Sequence, residues 1–205
     1  MKITDVSLTL FAWESIPRTI YGAHTAHPTG KSDLGLLRIV TDEGIEGHAF
    51  LGTSSNPASL DGPALIRFLK PVVIGQHPLD RERLNRLLWA RARVATVRAI
   101  GAVDIALWDI AGKKAGLPIH RLIGTCRDRI LAYASSEIHV TPEEYAAQAL
   151  HYQSTGWTAY KIHPPTDPAV DVEVCRAVRR NGFLIPGARF SPAAGRPRVG
   201  PVPRD

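Results

Sequence analysis

Between residues 129 and 180 the chain alternates a short apolar run with an amphipathic helix, twice. The segments are RILAYAS (129–135), TPEEYAAQALHYQSTG (141–156), TAYKIH (158–163) and DPAVDVEVCRAVRR (167–180). Nothing else in the sequence restricts the fold as much. Two strands joined through a helix cannot form a hairpin; they lie parallel, with the helices on one face of the sheet. The helix limits are written into the sequence. Thr141 is an N-cap, Pro142 sits in the first turn and Glu144 closes a capping box, while Gly156 ends the helix. Asp167 caps the second helix and Pro168 opens it.

The first half has a different rhythm. Residues 2–12 alternate as a strand, with Val6, Leu8 and Leu10 on one face. LGLLRIVT (34–41) is a second strand, DEG (42–44) a turn and IEGHAFLG (45–52) a third strand, which together predict an antiparallel meander. Residues 13–33 show no periodicity, contain Pro17, Gly22, Pro28 and Gly30, and read as a long mobile loop. Helices follow. One over 63–75 is disturbed near Pro71 and ended by Gly75. One over 79–92 places Leu84, Leu87 and Leu88 on one stripe. The clearest spans 96–116, with Ile100, Val103, Leu107, Trp108 and Ile110 or Ala111 at three- and four-residue steps. Lys113 and Lys114 suit its negative end, Gly116 its left-handed cap, and Pro118 blocks continuation.

Charge narrows the function classes. Of the net +6, residues 179–205 carry +5, from six arginines and Asp205, which leaves +1 for residues 1–178. The basic character belongs to the tail, not to a domain face, so a nucleic-acid partner is the weaker reading. No apolar run approaches the length of about 18 residues that spans a bilayer. The N-terminus lacks the apolar core of a signal peptide. Cys126 and Cys175 have no metal-type spacing and imply no disulfide framework. A cytoplasmic setting is expected.

GAVDIALWDIAGKKAGLPIHRLIG (101–124) resembles the helix-to-barrel junction of the mandelate racemase/muconate lactonizing enzyme group of the enolase superfamily. The meander, loop and helices look like that family's N-terminal capping domain. AYASS (132–136) looks like its first barrel strand, and AYKIH (159–163) falls where it carries a Lys-x-Lys pair on the second. The resemblance covers roughly residues 1–180. The expected fold is therefore an α+β capping domain, an antiparallel three-stranded meander plus helices, over residues 1–125. An incomplete (β/α) barrel fragment follows over 126–180, and an irregular tail over 181–205.

The resemblance implies abstraction of a proton next to a carboxylate, as in a lyase or isomerase acting on a hydroxy or sugar acid. A magnesium ion on three acidic residues would stabilise the developing enediolate. Lys161 and His163 are the candidate catalytic residues. Positions i and i+2 of a strand share a face, and the C-terminal end of barrel strands is where such sites are built. The family's usual base is the second member of the pair, here His163, whose imidazole can serve as a base. His24, His27 and Lys31 fall on the family's substrate-covering flap and are candidate substrate contacts. His48 and Ser54–Asn56 are weaker candidates. Asp104 and Asp109 read as structural acids, and Trp108 as core.

The family's metal ligands sit on the third to fifth barrel strands. After Arg180 the sequence NGFLIPGARFSPAAGRPRVGPVPRD holds four glycines and five prolines and no acid before Asp205. Such a tail reads as an out-of-frame ending, and two βα units cannot close a barrel. The expectation is a chain that binds no metal and is inactive alone. It would pair with itself or with a missing C-terminal half, its second strand left as an association-prone edge. The alternative is a non-catalytic interaction protein that pairs through the capping domain or the exposed barrel strands.

Overall fold

The computed structural model describes residues 1–16 and 30–181. Among these the chain divides between Arg129 and Ile130 into two compact units. The expected tail from residue 182 onward lies outside the described residues.

The first unit is built on an antiparallel sheet of β1 (Ile3–Ile16), β2 (Gly30–Thr41) and β3 (Glu46–Leu51), in the order β1-β2-β3. Leu8 pairs with Leu37 and Leu37 with Ala49, so the two-residue period turns Val6, Leu37, Ile39, Ala49 and Leu51 toward one face. All five are buried. Ile3 is also inward, although an odd number of residues from Val6, because the register slips between Ile3 and Asp5. Leu10 on β1 remains half exposed. The strands are longer than the hydrophobic alternation predicts. Residues 13–16 and 30–33, read as loop from their lack of periodicity, are strand: Trp13 pairs with Ser32 and Ile16 with Gly30. Backbone pairing extended them where side-chain pattern gave no signal.

The helices cover the inner face. α1 (Ala58–Ala64) runs into a π-helical turn (Leu65–Leu69) and then α2 (Lys70–Val73). The wide turn lies just before Pro71, whose ring has no N–H and would collide with the carbonyl four residues earlier in a regular helix. Leu65, Leu69 and Val73 nevertheless all reach the core. Gly75, at φ 75°, ends the segment, and its N–H donates to Ile3 O at 2.8 Å. In α3 (Arg81–Trp89) Leu84 and Leu88 are buried but Leu87 is not, so the stripe is narrower than expected.

α4 (Val97–Ala115) is the helix foreseen over 96–116. Thr96 Oγ1 accepts from Ala99 N, and Gly116 closes the helix at φ 64°. Ile100, Val103, Leu107 and Ile110 are fully or almost fully buried against the sheet and helices. Each contributes roughly 1.5–3 kcal/mol by leaving water. Trp108 is not core. It is half-buried one step off that stripe, with the Arg81 guanidinium 3.2 Å from its ring centroid. The short α5 (Ile119–Leu122) follows.

The second unit contains β4 (Ala134–Ser135), α6 (Pro142–Ser154), β5 (Tyr160–Lys161) and α7 (Pro168–Arg180). β4 and β5 are parallel, as the strand–helix rhythm requires. The capping box of α6 is complete: Glu144 N donates to Thr141 Oγ1 at 3.3 Å and Thr141 N to Glu144 Oε2 at 3.2 Å. Asp167 Oδ1 accepts from Ala169 N at 2.9 Å and opens α7. Tyr145, Ala149, Val174 and Val178 from the helices pack on Ala134 and Tyr160 from the sheet. Both strands are far shorter than 129–135 and 158–163. Ile130 and Leu131 are exposed.

Candidate active site

The βα unit decides which way Lys161 and His163 face. Tyr160 is buried beneath the helices, and Ile162 packs against the same cluster. By strand alternation Lys161 occupies the opposite face, while His163 lies two residues beyond the end of β5. Ser135 pairs with Lys161 across the parallel ladder, and its Oγ lies 3.3 Å from His163 Nδ1. Lys161 Nζ lies 5.9 Å from the centroid of the Tyr133 ring. The end of the two-stranded ladder thus carries a primary amine and a hydroxyl, with an imidazole just beyond it.

The end of the ladder is unusual. Ala134 N donates to Ala159 O at 2.9 Å and Ser136 N to Lys161 O at 2.8 Å. At His163 the ring Nδ1 lies 2.7 Å from Ser136 O, while His163 N donates to Ser136 Oγ at 2.8 Å. Ser136 is buried. Behind it, Tyr145 OH donates to His163 O at 2.8 Å and Tyr160 OH to Gln148 Oε1 at 2.7 Å. Burial pushes the Tyr160 phenol up to about 12 and raises Tyr145 as well, so both remain hydrogen-bond donors at neutral pH.

The other predicted residues separate. Lys31 stands on β2, not in a loop, and pairs with Glu14 at 2.9 Å with both side chains exposed. His24 and His27 lie outside the described residues. His48 N donates to Asp109 Oδ2 at 2.9 Å, and Lys113 Nζ donates to the same oxygen at 2.7 Å and to Glu46 O at 2.7 Å. These contacts tie β3 to α4, which is the structural role expected of Asp109. Asp104 likewise accepts from Asn85 Nδ2 at 3.1 Å between α4 and α3. Thr53 N donates to Asn56 O at 2.8 Å, so residues 53–56 close a turn.

The sequence profile of the mandelate racemase/muconate lactonizing enzyme N-terminal domain matches residues 9–124. The chain belongs to this family. Among curated relatives, D-mannonate dehydratase of Sphingomonas sp. is 38% identical over 138 residues, 62% of this chain and 32% of that protein. Cis-3-hydroxy-L-proline dehydratase of Roseibium aggregatum is 30% identical over 151 residues, 72% of this chain and 41% of that protein. The family member described here thus spans between about a third and two fifths of the length of these relatives. A crystal structure of D-glucarate dehydratase from Agrobacterium tumefaciens, complexed with magnesium, superposes with a TM-score of 0.71 at 30% identity. That match covers 89% of this chain and 51% of that one. The L-Ala-D/L-Glu epimerase of Bacillus subtilis shares the fold, with a TM-score of 0.74 at 22% identity. The architecture of this family member is accordingly a capping domain with a three-stranded antiparallel sheet, followed by part of a (β/α) barrel.

Its described residues do not fit a magnesium site. Among them no three His, Cys, Asp or Glu side chains come together in a way that could hold a metal ion. No helix among them is long and apolar enough to cross a membrane. Sequence reasoning passed over Ser136 and Tyr145. Ser136 lies within AYASS but carries no signal until the register places it beside His163, and Tyr145 reads only as a helix core position.

Proposed function

We propose that this chain supplies the capping domain and the acid/base strand of an enzyme that moves the proton next to a carboxylate, as in dehydration or racemisation of a hydroxy or sugar acid. The observation that supports it is the placement of Lys161 at the end of β5 beside Ser135, with the His163 ring two residues on against the same Ser135 and Ser136, in a family whose curated members include sugar-acid dehydratases. An amine and an imidazole so placed can divide the work. The Lys161 ammonium attracts the substrate carboxylate and the negative charge that grows on it. The His163 imidazole takes or returns the proton. Lys31, with His24 and His27, keeps the role that the resemblance implies, contacts to the polar groups of the acid. The surface ion pair of Lys31 with Glu14 is compatible with it, since exposed pairs of this kind are worth about 0–1 kcal/mol and exchange readily.

Magnesium in such an enzyme would stabilise the enediolate oxygens. The described residues provide no site for it, and residues 182–205 contain a single acid, Asp205. A polypeptide of these 205 residues alone is therefore expected to be inactive, its contribution being proton movement. Exposed Ile130 and Leu131 support a reading in which further barrel sequence, from a longer chain or a partner, covers this unit.

The test is complementation. The 205-residue chain is co-expressed with the C-terminal barrel segment of a relative such as the D-glucarate dehydratase, and exchange of the proton next to the carboxylate is followed in D₂O with magnesium and a panel of sugar acids. Exchange by the pair and not by the chain alone is the expected result. Lys161→Met and His163→Asn should each lower the rate by about 100-fold or more. Full exchange in both variants would reject the assignment.

A further inference from the structure

The end of the β4–β5 ladder fixes which nitrogen of His163 carries the proton. In a parallel ladder the rungs alternate along the strands. After Ser136 N to Lys161 O, the next regular rung would run from His163 N to Ser136 O. That rung is replaced. Ser136 O faces the ring Nδ1 at 2.7 Å, and His163 N has moved to Ser136 Oγ at 2.8 Å. One serine offers both acceptors, and the swap lets the side chain of His163 use a carbonyl that the backbone would otherwise occupy.

A carbonyl oxygen can only accept, so at 2.7 Å it requires a proton on Nδ1. In the neutral ring the lone pair is then on Nε2. Two further contacts hold the arrangement. Tyr145 OH donates to His163 O from the packed helix side, and Ser136 itself is buried and anchored through its own N–H to Lys161 O. The same rung connects the backbone of Lys161 to the residue that orients His163, so the two candidate groups are held by one piece of framework.

We infer that Ser136 is a positioning residue that holds His163 in the Nδ1–H tautomer, making Nε2 the atom that takes and gives the proton. The inference rests on the proposed role of His163 for its meaning in catalysis, but the tautomer itself requires neither substrate nor metal. Loss of the hydroxyl has a specific consequence. In Ser136→Ala, His163 N has no Oγ and reverts to Ser136 O, completing the rung and displacing the ring from its acceptor. The ring then returns to the Nε2–H form that an unconstrained imidazole favours. Ser136→Thr keeps the hydroxyl.

The experiment is ¹⁵N NMR of the 205-residue chain with labelled histidine, the His163 signals being assigned by their loss in His163→Asn. At a pH where the ring is neutral, wild type and Ser136→Thr should show a protonated Nδ1 and a bare Nε2. Ser136→Ala should show the reverse or a mixture. Nε2–H as the main wild-type form would overturn the inference, and so would an unchanged Nδ1–H form in Ser136→Ala. If Ser136→Ala does not fold, the wild-type spectrum alone decides the tautomer, and Ser136→Thr decides whether the hydroxyl suffices. A negative complementation assay with an Nδ1–H wild-type ring would reject the proposed activity and leave the positioning geometry standing.

Discussion

The hydroxyl of Tyr145, fully buried in α6, donates to the backbone carbonyl of His163 at 2.8 Å. A helix core residue thereby fixes the segment that leaves β5 and carries His163. Tyr145→Phe keeps the ring and removes the donor, leaving a carbonyl without that partner. The expected cost is about 1–2 kcal/mol in the second unit. Urea unfolding followed by the fluorescence of Trp157, the one tryptophan in that unit, measures it. No change in midpoint would show that the bond contributes nothing net.

Gly47 is a close-approach position. A Cβ there would overlap the carbonyl oxygen of Ala106 and stand 2.7 Å from Ile110 Cγ1, so β3 would have to move off α4. Gly47→Ala is expected to destabilise by about 3 kcal/mol, the upper part of the range for overpacking. Gly101, inside α4, has nothing within 4 Å of its added Cβ. Gly101→Ala should stabilise by about 0.5–1 kcal/mol through helix propensity. Thermal melts of the two variants should shift in opposite directions.

Asp61 has no exposed surface and accepts from Thr96 Oγ1 at 2.7 Å, Arg98 Nε at 2.9 Å and Arg98 Nη2 at 3.2 Å. The pair is asymmetric, since the Arg98 side chain is 42% exposed. Removing the arginine strands a buried carboxylate, whereas removing the carboxylate leaves a guanidinium that water can reach. Arg98→Met is therefore expected to cost about 3–5 kcal/mol and Asp61→Asn clearly less. Equal losses in denaturant titrations would contradict that ordering.

Tyr160 gives a pH prediction with a definite sign. Its folded pKa is pushed up to about 12 from 10.0, chiefly by burial. A raised folded value means that the stabilisation is complete below pH 10 and is lost as the pH rises from 10 toward 12. The second unit should loosen over that window, and Tyr160→Phe should flatten the loss. Phenolate absorbance should show the buried Tyr160 and Tyr145 ionising after the exposed tyrosines. Ionisation of every tyrosine near pH 10 in the folded chain would be inconsistent with this burial.

At the acid end Asp5 is held below its usual range, first by the hydrogen bond from Lys70 Nζ at 2.6 Å. A lowered folded value gives stabilisation that is present above 3.8 and lost as the pH falls through the folded pKa. Both side chains are partly exposed, so the effect is small and salt-sensitive. Lys70→Met should reduce the acid-side dependence contributed by Asp5 in melts from pH 5 to 2, and an unchanged acid limb would dispose of it.

Local signals in the sequence determined the helices with caps. Thr96 and Gly116 bound α4, and the Thr141–Glu144 pair and Asp167 start α6 and α7 where they stand in the chain. These are contacts between residues a few positions apart, so they are legible in one dimension. The parallel order of β4 and β5 was legible because a repeated strand–helix rhythm supplies the crossover that parallel strands need. What only the tertiary structure decided depends on register. The extension of β1 to Ile16 and β2 back to Gly30, the exposure of Leu87, and the place of Trp108 under Arg81 follow from which elements meet. The pairing of Ser136 with His163, 27 residues apart, is of that kind. The spacing of Lys161 and His163 suggested one face of a strand, but the strand stops at Lys161, and the His163 ring meets a carbonyl of the neighbouring segment. No residue near His163 in sequence determines that, because hydrogen-bond geometry between strands exists only once the strands are aligned.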